Sequence, residues 1–350
     1  MPDTIEIAIV GPKTGPLAEY GDMQRIGALQ AVKDINAGGG VDGRMLEAKE
    51  YDDGAEPTQA VAVAGKVVDD GVKFVVGHVT SAATQRAANV YEEAGVVMIT
   101  PAATSSGITA VGHELVFRTV GADVVQSQVA AEYIVDHVEP EAVAVLHDKS
   151  LYGMGLAAVV EPTLEEKGVA VPVSEGVDAA ATDFSAIIEK LKENSVDFVY
   201  WGGYHPALGL ILRQARAQGL GARFMAADAC ATESISRIAQ GASEGLLVTV
   251  PKAFDADPAN KAVVDAIKEA GGDPGGTFVL PAYSAVRLIA EGVRKAGSED
   301  THRVAEALYA GTFSTPTGDL GFDESGDLKD GTFVVHEWHF GAPKTEASPQ

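Results

Sequence analysis

The sequence predicts an α/β protein built on two parallel sheets, and three observations carry that expectation. Strand and helix patterns alternate almost from end to end, the order that parallel sheets require. The apolar runs Phe74–Val76 and Val96–Thr100 have the length of buried strands and frame a helical stretch, Ser81–Ala94, that closes on Gly95. The alternation falls into two series of about five strands each, and two sheets accommodate them better than one of about a dozen. A chain of 350 residues is long enough for two cores.

The first strand is Ile5–Val10. A loop over Gly11–Gly21 follows, and Asp22 is the candidate cap of a helix to Ala37 with Met23, Ile26, Leu29, Val32 and Ile35 facing inward. Gly38, Gly39 and Gly40 stop that helix, and Met45–Tyr51 is the next strand. Pro57 stands at the first turn of a helix over Thr58–Asp70, where its missing N–H costs nothing. Leu115–Arg118 is a further extended piece. The second series starts at Asp123 with helix Val124–His137, strand Ala142–His147, helix Gly155–Lys167 and strand Val169–Ser174. It continues through helix Phe184–Glu193, strand Asp197–Trp201, helix Ala207–Gln218 and strand Arg223–Ala227. After Leu246–Val250 come helical patterns within Asn260–Ala270, Phe278–Ala296 and His302–Ala310. The tail reads as a hairpin of Asp319–Phe322 with Thr332–Trp338, turning over 323–327.

Composition narrows the function classes. With 46% hydrophobic and 22% charged residues the chain is a soluble globular type. Acidic residues outnumber basic ones 50 to 26, for a net charge of −24, a field that repels nucleic acid and anionic membranes. Cys230 is the sole cysteine, which excludes an intrachain disulfide; between alanines it reads as a small buried hydrophobe. No apolar run reaches the length of a membrane span. The start, Met-Pro-Asp-Thr, leads straight into the first strand, so no signal peptide is expected in this chain: it is either cytoplasmic or an exported protein in mature form with an added Met.

Enzyme motifs fail on context. Gly38-x-Gly40-x-x-Gly43 matches the dinucleotide fingerprint, but its glycines follow a helix and precede a strand, the reverse of what a pyrophosphate site needs. Gly241-x-Ser243-x-Gly245 matches the nucleophile elbow, with its strand after the serine instead of before. His336 and His339 lie three apart on a strand and so face opposite sides, which defeats joint metal ligation. His147-Asp148, at a strand end, has no third ligand or nucleophile linked to it. Asp323–Asp330 lacks the glycine position and terminal Glu of a calcium loop.

Binding features are better placed. Open α/β sheets take ligands beyond the carboxyl ends of their strands, where Ser81 opens a helix whose free N–H groups favour an anion. Hydroxyls and amides without Lys or Arg suit a small carboxylate better than a polyphosphate. Tyr20, Tyr152, Trp201, Tyr204 and Phe278 stand at strand ends or in loops opening helices, the material of an apolar-walled pocket. Asp228, just past a strand with no basic residue nearby in sequence, is either a partner for an ammonium or a solvated loop acid or cap.

The chain carries G-P-L-A-E-Y-G-D (15–22), A-V-K-D-I-N-A-G-G-G (31–40), V-V-G-H (75–78), M-I-T-P-A-A-T (98–104), D-F-V-Y-W-G-G-Y-H-P (197–206) and D-E-S-G-D-L-K (323–329). In these blocks it resembles the periplasmic branched-chain amino-acid-binding proteins of ABC transporters, the Leu/Ile/Val type. The resemblance implies a type I periplasmic binding protein: two Rossmann-like lobes joined by three crossovers, near Gly121, Val250 and Gly331, with ligand in the interlobe cleft. Residues 1–121 plus 251–331 would form the lobe of primary contacts, and 122–250 plus 332–350 the lobe that closes on the ligand. By the same resemblance Ser81 and Thr104 hold the ligand carboxylate, the Ala102 carbonyl with Thr104 takes the ammonium, and Tyr152 and Tyr204 close over it. Tyr20, Val79, Thr80 and Phe278 line the side-chain pocket. The implied protein is a periplasmic monomer without cofactor, metal or catalysis, not inserted in the membrane, which hands a free aliphatic or branched-chain L-amino acid to an ABC permease. The alternatives are another small amino acid, γ-aminobutyrate, or the ligand-sensing domain of a receptor. Two departures stand out. The family's ammonium-binding Glu is matched by Asp228, one methylene shorter. A small disulfide of some members is matched by Ala55 and Thr80, the latter making the pocket wall more polar and favouring small ligands such as Ala, Val or Thr.

Overall fold

The computed structural model describes residues 4–339 and the short strand Thr345–Glu346. In chain order the elements are β1 (Thr4–Gly11), α1 (Ala18–Ala37), β2 (Met45–Asp52), α2 (Pro57–Asp69), β3 (Phe74–Gly77), α3 (Ser81–Ala94), β4 (Val97–Thr100) and β5 (Val116–Arg118). Next come α4 (Asp123–Tyr133), β6 (Ala142–His147), α5 (Leu151–Glu166), β7 (Ala170–Gly176), α6 (Ser185–Glu193), β8 (Phe198–Gly202), α7 (His205–Ala217), β9 (Arg223–Ala226), α8 (Glu233–Ala239) and β10 (Leu246–Pro251). The chain finishes with α9 (Lys261–Glu269), α10 (Val279–Ala296), α11 (Thr301–Ala310), β11 (Phe313–Thr315), β12 (Gly318–Leu320), β13 (Phe333–Trp338) and β14 (Thr345–Glu346).

Two compact units form: residues to Ala122 with Ala253–Gly331, and Asp123–Lys252 with the residues from Thr332. The first holds a parallel sheet in the order β2-β1-β3-β4-β5. The second holds β7-β6-β8-β9-β10 in parallel, extended at the β10 edge by antiparallel β13 and β14. Counting strands from each unit's first, both sheets run 2-1-3-4-5, the doubly wound order that opens a crevice between strands 1 and 3. The alternating βα pattern therefore encodes the same topology twice, although the halves share no short-period repeat. Ile7, Ile9, Phe74 and Ile99 build the core on one face of the first sheet, and Ala8, Val10, Val75 and Met98 that on the other.

Four sequence expectations need correction. Helix α1 starts at Ala18, so Asp22 lies inside it; no side chain caps its first turn. Its core face combines Gly27, Ala28 and Ala31 with the expected Val32, Leu29 and Ile35, while Met23 and Ile26 pack on a side cluster with Val279 and Leu280. Small residues are required because α10 passes so close that a Cβ on Gly27 would lie 1.8 Å from the Val279 carbonyl oxygen. Helix α5 starts at Leu151 instead of Gly155, capped by Ser150 Oγ, which accepts from the Gly153 amide at 2.9 Å. The expected tail hairpin does not form: β12 pairs with β11, and β13 crosses to β10 of the other unit's sheet. Finally, Trp201 is in β8 and fully buried within the second unit's core, so it is packing material and not pocket wall. Among the described residues no helix is long and apolar enough to cross a membrane.

Candidate functional site

Every sequence-predicted site residue except Phe278 follows the first, third or fourth strand of its own sheet. In the first unit, Tyr20 lies in the opening turns of α1 after β1, Val79, Thr80 and Ser81 follow β3, and Ala102 and Thr104 follow β4. Phe278 precedes α10, and its ring meets that of Tyr20 edge-on at 5.9 Å. In the second unit, Tyr152 follows β6, Tyr204 follows β8 and Asp228 follows β9. Each unit thus assembles one set of loops at the ligand end of its sheet.

The first set is hydroxyl-rich and firmly held from beneath. Thr100 Oγ1 donates to the His78 carbonyl at 2.7 Å and accepts from the Ala103 amide at 3.0 Å, tying the loop after β3 to the loop after β4. Below them His78 Nδ1 stands 2.6 Å from Asp53 Oδ2, and His78 Nε2 stands 3.1 Å from the Tyr91 hydroxyl, all three side chains fully buried. Burial, then the Asp53 charge, pushes the Tyr91 phenol up, so it stays protonated and donates. Nδ1–H to the carboxylate and a lone pair on Nε2 is the tautomer that satisfies both contacts. Arg118, also buried, donates to the carbonyls of Ala103 and Ser105 and to Thr109 Oγ1, and pairs with Asp327, fixing the backbone around Thr104. Ser81, at the first position of α3, accepts from the Ser105 amide at 3.4 Å.

The second set is aromatic and acidic. Tyr152 and Tyr204 stack at 5.2 Å. Both are placed by Asp148, which accepts from the Ser150 amide and hydroxyl on Oδ1 and from the Tyr204 amide on Oδ2. The glycines around it make room: a Cβ on Gly153 would lie 2.4 Å from Asp148 Oδ1. Asp228 is 3% exposed; its Oδ1 accepts from the Tyr152 hydroxyl at 2.5 Å and from Gln126 Nε2 at 3.2 Å, while Oδ2 has no hydrogen-bond partner. Burial raises the Asp228 carboxyl, against the pull of Tyr152, Gln126 and the backbone amides of Ala229 and Asp228. Gln126 is in turn held by Thr249 Oγ1 at 2.9 Å. The arrangement prepares a buried negative charge with one oxygen still able to accept, beside two aromatic rings.

Sequence reasoning missed Arg118, Gln126 and the Asp53–His78–Tyr91 chain, and it considered Asp148 only as a metal or catalytic candidate beside His147. The rejected motifs fall where their context put them. Gly40 ends the α1 turn against a Val41–Arg44 bridge, and Ser243 lies in the turn before β10, its hydroxyl on Ser236 Oγ. Cys230 is buried, its thiol pushed well up by burial. The described residues contain no group of three or more His, Cys, Asp or Glu that could hold a metal.

A sequence model of the periplasmic binding protein family matches residues 4–342. The chain belongs to that family. It is 56% identical, over 98% of its length and 92% of the relative's, to the leucine-, isoleucine-, valine-, threonine- and alanine-binding protein of Pseudomonas aeruginosa. To the Leu/Ile/Val-binding protein of Escherichia coli it is 47% identical over 99% of the chain and 94% of the relative. Among solved structures, a leucine-binding protein of Thermotoga maritima matches with a TM-score of 0.91 at 28% identity, covering 98% of both chains. The branched-chain amino-acid substrate-binding protein of Streptococcus pneumoniae, in complex with isoleucine, matches with a TM-score of 0.87 at 27% identity over 95% of both. This member of the periplasmic binding protein family has the α/β architecture of those relatives, with parallel sheets and no closed barrel.

Proposed function

We propose that the chain is a non-enzymatic, monomeric, periplasmic solute-binding protein that captures a free aliphatic L-amino acid and delivers it to an ABC transporter permease. In this reading the ligand carboxylate takes the hydroxyls and amides of Ser81 and Thr104. The ammonium takes the Ala102 carbonyl and Asp228, and the side chain lies against Tyr20, Val79, Thr80 and Phe278. Tyr152 and Tyr204 close over it as the hinge equilibrium shifts toward the form that makes contacts from both units. The relatives named for leucine, isoleucine and valine support the ligand class.

One observation carries the reading: Asp228 is a buried carboxylate with no ion pair among the described residues and one oxygen unpartnered. A buried charge of that kind is retained where a cation completes it. The test is calorimetric titration of Asp228→Ala with L-leucine and L-valine. Affinity should fall by roughly 30-fold or more, the range for deleting one partner of a buried charge pair, while the melting temperature of the ligand-free protein stays level or rises. Affinity within twofold of the parent protein would remove Asp228 from the site.

A further inference from the structure

The two oxygens of Asp228 are in different states, and Gln126 is one of the two side chains that make them differ. Gln126 lies on α4 and is fully buried. Its Nε2 stands 3.2 Å from Asp228 Oδ1, 2.9 Å from Thr249 Oγ1 and 3.3 Å from the Thr249 carbonyl oxygen. A carboxylate and a carbonyl only accept, so the amide nitrogen faces them and donates. The Tyr152 hydroxyl donates to the same Oδ1. Both donors load one oxygen, while Oδ2 keeps its capacity to accept. Held on one oxygen from two helices, α4 and α5, the carboxylate cannot turn about its last bond without breaking both contacts.

The anchor behind Gln126 is drawn from the segments by which the chain enters and leaves this unit. The unit begins at Asp123, one helical turn before Gln126; the chain leaves it after Lys252 and returns at Thr332. Thr249 stands on β10 just before Lys252, and it pairs in register with Val335, on β13 just after Thr332. All three crossover segments therefore meet at the Gln126–Thr249 contact. Thr249 is as fully buried as Gln126, so the anchor is enclosed on every side.

We infer that Gln126 is a positioning residue for ligand capture: it ties Asp228 to the crossover segments of the second unit and leaves Oδ2 as the oxygen that meets the ligand ammonium. The inference rests on the functional reading above and adds to it the device that orients the acid. Gln126 also favours the ionised carboxylate, because its donated hydrogen bond works against the rise that burial imposes. Removing the donor therefore disturbs both the direction of the acceptor and its charge.

The experiment is calorimetric titration with L-leucine and L-valine between about pH 8 and pH 4, on the parent protein, Asp228→Ala and two variants of Gln126. Gln126→Met keeps the length and removes the donor, and Gln126→Asn keeps the amide and shortens its reach; a cooperative melting transition without ligand certifies the fold of each. At neutral pH affinity should fall about 10-fold or more in Gln126→Met, the range for losing a hydrogen bond to a charged group, and by less in Gln126→Asn. In both variants the pH at which affinity is lost should move upward, because a carboxyl without its donor takes up a proton sooner as the pH falls. Tyr152, Tyr200 and Cys230, around Asp228, are held protonated by burial over this range. Asp123 on α4, Asp148 after β6 and His205 on α7 are the other titratable groups of the neighbouring elements. They are common to parent and variants, so the displacement reports Asp228. Affinity within twofold of the parent in both variants overturns the inference and leaves the functional reading intact, as does a loss of affinity with an unmoved pH dependence. Two variants that fail to melt cooperatively would mark Gln126 as structural and overturn it too. A parent protein that binds neither ligand, or an Asp228→Ala variant that binds as the parent does, overturns the functional reading and this inference with it.

Discussion

Asp228 and His205 show how burial is used differently at two residues of one unit. The Asp228 carboxyl is raised by burial, so its ionised form costs stability above the raised value, and that cost vanishes once the pH lies below the ordinary carboxylate range. An ammonium beside it reverses the balance, which is why removing Asp228 should weaken binding without weakening the ligand-free fold. His205, at the first position of α7 beside Tyr204, is lowered to about 4, by burial first and then by the Arg237 charge. Its folded value lies below the unfolded one of about 6.5, so the unfolded chain takes up the proton first. Stability from this residue is therefore complete above about pH 6.5 and is lost progressively as the pH falls toward 4. Between pH 7 and 4.5 the melting temperature should fall less in His205→Gln than in the parent protein; parallel curves would show that His205 does not titrate this way.

At the scale of elements, close backbone approach governs the α1–α10 pair. Gly27→Ala places its Cβ 1.8 Å from the Val279 carbonyl oxygen and forces the helices apart, at an expected loss of about 2–3 kcal/mol. Gly65 in α2 has nothing within 4 Å of the same position, so Gly65→Ala should instead gain about 0.5–1 kcal/mol from helix propensity alone. Urea unfolding of the two variants side by side checks the contrast, and equal shifts would refute it. The same pair explains what was legible in the sequence. Strands such as Phe74–Gly77 announce themselves as short apolar runs, and the loops holding Ser81, Thr104 and Asp228 could be placed because they follow such runs. Helix α1 opens without a capping side chain, and α5 opens through Gly153 and Gly155, which weaken a helical pattern, so local periodicity marks neither start. The partner of β13 lies in a sheet whose nearest strand is some 80 positions back, a pairing that no local period encodes. Gln126 reaches Asp228 across 102 positions, and Arg118 reads locally as part of a strand. Residues that position a site through distant contacts leave no spacing to detect.

The whole molecule carries a net charge of −24, and its consequences separate from those of the site. Like charges spread over the surface repel one another in the compact state more than in the unfolded chain. Raising salt from about 0.01 M to about 1 M shortens the screening length from roughly 30 Å to 3 Å, which removes most of that repulsion. The melting temperature of the ligand-free protein should therefore rise with sodium chloride. A zwitterion has no net charge for the long-range field to repel, and Ser81, Thr104 and Asp228 are all buried, where salt screens little. The affinity for L-valine should accordingly change by less than about twofold over the same range. A net anion would behave differently, binding better as salt screens the molecule's field, and a net cation would bind worse. Titration at the two salt concentrations thus reads the net charge of the ligand that the site selects, and a strong slope of either sign would contradict recognition of a neutral amino acid.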